Sequence, residues 1–123
     1  MLFRSRSLPA RGWNQGLDDL VDYIRANHQA GLTLTDLEEF SHYSARRLQV
    51  LFRERFACTP MQFVRQQRLR TALEKLQTAS AAETVTSIAR SCGYRHVSNF
   101  SADFQREFAV NPSVVLRASR RGV

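Results

Sequence analysis

The stretches SARRLQVLFRERFACTP (residues 44–60) and VTSIARSCGYRHVSNFSADFQREFAVNP (residues 85–112) decide the fold, because both end in the same pattern. The matched pairs at these ends are Phe52 and Phe104, Phe56 and Phe108, Ala57 and Ala109, and Pro60 and Pro112. Upstream, Leu34, Leu37 and Tyr43 match Val85, Ile88 and Tyr94, with a turn one residue longer in the second copy. Such a repeat indicates one supersecondary unit used twice, and the spacing is that of a helix-turn-helix.

Composition sets the broad class. The chain has 123 residues, 43% of them hydrophobic, enough for one compact domain or two very small subdomains. Its net charge of +7 indicates a polyanionic partner. A membrane surface is the rival polyanion, but acidic and basic residues are interleaved and no apolar run approaches the ~20 residues of a membrane span. Of the 18 basic residues only Lys75 is a lysine, which suits planar contacts with guanine and phosphate or reflects a GC-rich genome.

Apolar spacing and capping residues predict the first three helices. Leu17, Leu20, Val21 and Ile24 predict an amphipathic helix over 17–29, ended by Gly31. Thr33 and Asp36 form a capping box for a short helix. The inward side chains of that helix are predicted to be Leu34, Leu37 and Phe40. Ser44 caps the next helix, whose predicted buried side chains are Leu48, Leu51, Phe52 and Phe56.

Two cap-plus-proline pairs mark the later helices. Thr59-Pro60 opens a long helix to about Gln77, and Asn111-Pro112 opens a short last one. Between them, Thr84 caps a fifth helix that Gly93 closes, and the sixth places Phe100, Phe104 and Phe108 on one face. Because no alternating strand pattern is present, we predict an all-α fold of about seven helices.

These boundaries predict the domain organisation. Residues 1–16 are basic and free of acids, too short and too irregular for a transit peptide, and are predicted to be a flexible basic arm or linker. Residues 17–118 form the domain, followed by a basic tail over 119–123. Within it, the first helix-turn-helix spans 33–57, the linker helix 60–77 and the second helix-turn-helix 84–109.

One exposed stripe has base-reading chemistry. With Leu48, Phe52 and Phe56 turned inward, the opposite face of the first copy's second helix carries Arg46, Gln49, Val50 and Arg53. Arginine can bind guanine N7 and O6, and glutamine can bind adenine N6 and N7. An ordinary solvated face is the simpler interpretation of such a stripe, but the helix-turn-helix context and the basic charge favour DNA.

The second copy has a weaker stripe. It consists of Ser98, Ser101, Ala102 and Gln105, with Asn99 and His96 near the helix start, and it has no arginine. Contacts to thymine methyl groups and adenine are possible there, and a supporting half that mainly grips phosphate is an equal alternative.

Other site chemistries find little support. Cys92 and His96 lie four residues apart, but Gly93 should turn them apart, so no metal site is expected. Two cysteines, Cys58 and Cys92, are typical of a reducing compartment. The sequence has no phosphate-binding loop, zinc-protease motif or nucleophile elbow, so we expect neither an enzyme nor a cofactor.

The two quoted strings resemble the DNA-binding domain of the AraC/XylS family of bacterial transcription regulators. The resemblance covers roughly residues 17 to 118. The resemblance implies two helix-turn-helix subdomains joined by one long helix, with recognition helices in successive major grooves. The family usually has glycine where this chain has Ala57 and Ala109, which implies left-handed backbone at both. It also implies an Asp or Ser cap where this chain has His96.

Carried over residue by residue, the resemblance implies six base-reading positions: Arg46, Gln49, Val50, Ser98, Asn99 and Ala102. The expected contacts to the DNA backbone are Thr33, Ser44, Arg47, Arg53, Thr84 and Gln105. Because the arginines lie in the first copy, its half-site is expected to be the more strictly defined.

We therefore expect a sequence-specific regulator of transcription, an activator, that binds double-stranded DNA as a monomer and contacts RNA polymerase. The expected location is the bacterial cytoplasm, on the nucleoid, with no membrane contact and no small-molecule site in this chain. The chain is either a small stand-alone regulator or part of a longer protein. The alternative is a structural module that binds DNA nonspecifically or docks a protein.

Overall fold

The computed structural model describes residues 15–121, and this part of the chain contains seven helices and no strand. They are α1 (Gln15–Asn27), α2 (Leu34–Ser41), α3 (Ala45–Phe56), α4 (Pro60–Gln77), α5 (Val85–Ser91), α6 (Val97–Phe108) and α7 (Pro112–Arg121). The all-α prediction is confirmed. The predicted basic arm lies outside the described residues up to Asn14, and Gln15 begins α1. Helix α7 continues to Arg121, so the predicted tail starts as helix.

Side-chain caps begin the short helices where the sequence predicted them. Thr33 accepts a hydrogen bond from the Asp36 amide at 3.2 Å, and the Asp36 carboxylate accepts one from the Thr33 amide at 2.9 Å. Thr84 and Ser87 form the equivalent reciprocal pair at α5. Ser44 accepts a single bond at α3, from the Arg47 amide at 3.1 Å. Each cap satisfies amides that the first helical turn leaves unpaired, which is worth about 1 kcal/mol.

The same device begins the two helices that start with proline. At α4 the Gln62 amide donates to Thr59 Oγ1 at 3.1 Å, and the Gln62 side chain accepts from the Thr59 amide at 2.9 Å. At α7 the Ser113 amide donates to Asn111 Oδ1 at 3.2 Å. Both predicted helix starts are confirmed, and the reciprocal bond of Gln62 adds a capping box.

The described chain divides into two units. In the first, residues 15–27 and 32–64, α1, α2, α3 and the start of α4 enclose one core. Phe52 is fully buried at its centre and meets Phe63 edge-on, with ring centroids 5.5 Å apart. Such a pair adds about 0.5–1.5 kcal/mol to the burial of its apolar area. The buried members are Leu17, Leu20, Val21, Ile24, Leu32, Leu37, Leu48, Leu51, Phe52, Phe63 and Val64.

The second unit comprises residues 28–31 and the chain from Arg65 onward. Its core also contains an aromatic pair, Phe100 and Phe104, which lie on the same helix, are fully buried and have ring centroids 5.5 Å apart. The buried members are Leu69, Ala72, Leu76, Ile88, Ala89, Cys92, Phe100, Phe104 and Leu116. Each core presents one face of its last helix-turn-helix helix, α3 or α6, to solvent.

Two predictions in the first half of the domain are wrong. Phe40 is 43% exposed rather than inward, because it stacks on Tyr23 with ring centroids 4.1 Å apart. Helix α1 ends at Asn27, and Gly31 does not have the positive φ of a terminating glycine. The chain after Asn27 is instead held by Arg68, which donates to the carbonyls of His28 at 2.7 Å and Ala30 at 3.1 Å.

Left-handed backbone ends both α3 and α6, as the family glycines implied. Ala57 has φ 58° and Ala109 has φ 60°, and each amide donates to a carbonyl four residues back, at 3.0 and 2.8 Å. Gly93 has φ 98°, and a Cβ there would lie 3.0 Å from Arg68 Nε and 3.2 Å from the His28 carbonyl oxygen. Glycine therefore serves both the backbone angle and a close approach at this turn.

Candidate nucleic-acid interface

The solvent face of α3 carries the stripe that the sequence predicted. Leu48, Leu51 and Phe52 lie in the core on one side of the helix. Arg46, Gln49, Val50 and Arg53 lie on the other side, are exposed, and together with Glu54 line a shallow concavity. Ser44 holds the first turn of this helix in place through its bond to the Arg47 amide.

No carboxylate among the described residues pairs with the guanidinium groups of this stripe. Within residues 15–121 no ion pair involves Arg46, Arg47 or Arg53, whereas the neighbouring Arg55 pairs with Asp18 at 2.6 Å. Unpaired arginine forks can donate to guanine or phosphate, and Val50, 41% exposed, offers an apolar surface suited to a thymine methyl group. The face thus combines donors for bases with an apolar contact.

The exposed face of α6 corresponds position by position to that of α3, but α6 begins without a side-chain cap. His96 occupies the N-cap position and makes no side-chain hydrogen bond to the first turn. The predicted positions Ser98, Asn99, Ala102 and Gln105 are exposed, and Ser101 is half-buried. The phenylalanines at 100 and 104 anchor the opposite side in the second core.

Sequence reasoning missed the arginines of this face. The stripe predicted for α6 has none, yet Arg95 and Arg106 line the same concavity as Asn99 and Ala102. The remaining lining residues are Gly93, Tyr94, His96 and Asp103. Spacing could have indicated Arg106, because it follows Asn99 by seven residues and Ala102 by four, and such positions share one face of a helix.

Asp103 is the centre of a polar network beside this concavity. Its Oδ2 accepts from the Tyr94 hydroxyl at 2.9 Å, and its Oδ1 accepts from Arg106 Nη1 at 2.9 Å. Arg65 Nε lies 3.8 Å from Oδ2. Burial first, then the hydrogen bond to Asp103 and its charge, raises the pKa of Tyr94, which favours the protonated hydroxyl that donates to this carboxylate.

The helix starts predicted to meet phosphates are exposed. Thr33, Ser44 and Thr84 lie at the surface, with their hydroxyl oxygens already accepting from the first turn of their helices. Positive helix ends of this kind attract anions. Arg47 and Gln105, the other predicted backbone contacts, are also exposed.

The two cysteines have different environments. Cys92 is fully buried in the second core, whereas His96, four residues later, is exposed. Cys58 is partly buried against the first core. Burial raises the pKa of both thiols. Across residues 15–121, none of the helices combines the length and apolar character needed to cross a membrane.

Comparison with known proteins shows which protein family this chain resembles. A family model described as a helix-turn-helix domain matches residues 37–118. The chain is 37% identical over 98 residues to a probable thc operon regulatory protein of Rhodococcus erythropolis, covering 79% of this chain and 30% of that protein. It is 28% identical over 120 residues to the XylDLEGF operon transcriptional activator of Pseudomonas putida, covering 97% of this chain and 37% of that protein. The chain thus spans about a third of the length of these relatives.

Solved structures share the fold. A probable AraC family transcriptional regulator from Rhodopseudomonas palustris CGA009 superposes with a TM-score of 0.78 at 28% identity, covering 85% of this chain and 97% of that one. The DNA-binding domain of AdpA, solved in complex with a target DNA, superposes with a TM-score of 0.79 at 23% identity, covering 86% of this chain and 94% of that one. The second likeness concerns the fold alone.

Proposed function

Because the chain belongs to the AraC/XylS family of DNA-binding transcription regulators, we propose that it binds one asymmetric DNA site as a monomer, with α3 and α6 reading successive major grooves. The exposed Arg46, Gln49 and Val50 stripe on α3 carries this proposal. A second reading helix in the same chain removes the need for a dimer to supply it.

We assign these base contacts to exposed residues in the first half of each of the two helices, since the N-terminal part of a recognition helix approaches base edges. These are Arg46, Gln49 and Val50 on α3, and Ser98, Asn99 and Ala102 on α6. The proposed backbone contacts are Thr33, Ser44, Arg47, Arg53, Thr84 and Gln105, which would position the domain without reading sequence.

The regulatory role is a further part of the proposal. One relative is named as a transcriptional activator and another as an operon regulatory protein. We therefore propose that this chain activates transcription by contacting RNA polymerase, in the bacterial cytoplasm and on the nucleoid. The net charge of +7 supports association with DNA in either regulatory direction.

Selection of bound sites from random double-stranded DNA tests the proposal with the 123-residue chain. The expected result is one asymmetric site with two separated conserved segments, bound at a one-to-one stoichiometry. A two-to-one complex on a palindrome would contradict monomeric reading. Equal binding of all sequences at fixed salt would instead support the nonspecific module.

A further inference from the structure

The network around Asp103 changes what the second reading helix can do. Asp103 has no counterpart in the first copy, where the equivalent position is the buried Leu51. Likewise Arg106 occupies the position that corresponds to Glu54 on α3, and each of these residues lines the concavity of its own helix. The second copy therefore presents an arginine where the first presents an acid.

Arg106 is held while remaining accessible. Its side chain is 71% exposed, whereas that of Asp103 is only 20% exposed. A single nitrogen, Nη1, donates to Asp103, so the other guanidinium donors are available to a ligand. Tyr94 in turn restrains the carboxylate, because its hydroxyl donates to the second oxygen and its ring packs edge-on against Phe100 at 5.3 Å.

Charge balance indicates which part of DNA suits this arginine. A phosphate carries a full negative charge and is repelled by the neighbouring carboxylate, which pairs closely with Arg106 at 2.9 Å and more distantly with Arg65 at 3.8 Å. A guanine edge is neutral and offers the N7 and O6 acceptors, which need oriented donors more than net charge. Holding the planar group in place before binding also reduces the conformational entropy lost on contact.

We propose that Arg106 reads a guanine in the half-site of α6, and that Asp103 and Tyr94 are positioning residues that orient its guanidinium. This inference rests on the proposed function, since it requires α6 to lie in a major groove. It also requires Arg106, in the last turn of α6, to reach a base edge with its long side chain, beyond the contacts proposed for the first half of the helix. It adds one strictly read base pair to a half-site whose other proposed contacts, Ser98, Asn99 and Ala102, are small or neutral.

The test is a single-base substitution scan of the selected site, at several salt concentrations, with Arg106→Ala. The expected result is a loss of preference at one guanine of about tenfold to hundredfold, with other positions and the salt dependence unchanged. Replacing that guanine by 7-deazaguanine should weaken the wild type and not the variant. Arg117→Ala, which removes an exposed arginine outside the concavity, is the matched control and should leave the base profile unchanged.

Asp103→Asn separates positioning from bulk charge. Removing a negative charge should strengthen binding to all DNA, yet the proposal predicts that preference for the same guanine falls. Tyr94→Phe should also lower the preference for this guanine. Tyr43→Phe, at the equivalent position of the first copy, should leave that preference unchanged. Melting midpoints measured alongside would show whether a variant has simply lost its fold, in which case preference at all positions would fall together.

Two outcomes would overturn the inference. A uniform loss with Arg106→Ala, together with a salt slope lowered by about 0.9, would make Arg106 a phosphate contact. An unchanged base profile would remove it from the interface. Both differ from failure of the proposed function, in which the wild-type chain itself would select no site.

Discussion

Glycine at the left-handed ends of the two recognition helices should stabilise the protein. Ala57 and Ala109 have φ near 60°, a conformation that costs a residue with a Cβ roughly 1–2 kcal/mol. Glycine avoids this strain but loses about 0.5–1 kcal/mol through its freer unfolded chain. The expected net effect of Ala57→Gly or Ala109→Gly is therefore between about 0 and +1.5 kcal/mol in the free energy of unfolding. Both side chains are exposed, so neither change leaves a cavity.

Thermal unfolding followed by circular dichroism measures the effect. At roughly 4 °C per kcal/mol for a chain of this size, each variant should raise the melting midpoint by up to about 6 °C. Ala118→Gly is the matched control, because this exposed alanine lies within α7 and glycine there should cost about 1 kcal/mol. If the variants at 57 and 109 lost as much stability as the control, the strain argument would be wrong.

Three further predictions concern the site, the thiols and the core. Arg46→Ala should relax preference at one base position and cost about 1–3 kcal/mol of specific binding in titrations of substituted sites; a loss equal for all sequences would make Arg46 a phosphate contact. In the native protein Cys58 should react with a thiol reagent well before Cys92, which is fully buried; equal rates without denaturant would contradict the described burial. Phe104→Ala should cost about 3–5 kcal/mol in denaturant unfolding, and a cost under 1 kcal/mol would show that the second core does not depend on this side chain.

Local chemistry made much of the fold predictable. Helix starts at Thr33, Ser44 and Thr84 depend on residues within three positions of each cap, so the pattern of hydroxyl and partner is visible in the sequence. The buried and exposed faces of α3 follow from helical spacing alone. The same reasoning located the Arg46 stripe, although its contact with bases stays a prediction.

What the sequence did not reveal depends on distant partners. The backbone at residues 28–30 is held by Arg68, which lies 40 residues beyond the His28 carbonyl that it binds. Phe40 occupies a position that helical spacing predicts to be buried. Its ring instead stacks on Tyr23 and stays exposed. The link between Tyr94 and Asp103 spans nine residues and a turn, so no single helical period contains it.

The four residues 28–31 also determine how this protein can be dissected. They group with the second unit, where Arg68 binds two of their carbonyls and Gly93 leaves room for them. A fragment that starts at Arg65 would lose these backbone oxygens and leave the half-buried guanidinium of Arg68 without these two acceptors. We therefore expect a chimaera that exchanges the second helix-turn-helix to be more stable when it also carries residues 28–31, because Arg68 binds two of their carbonyls.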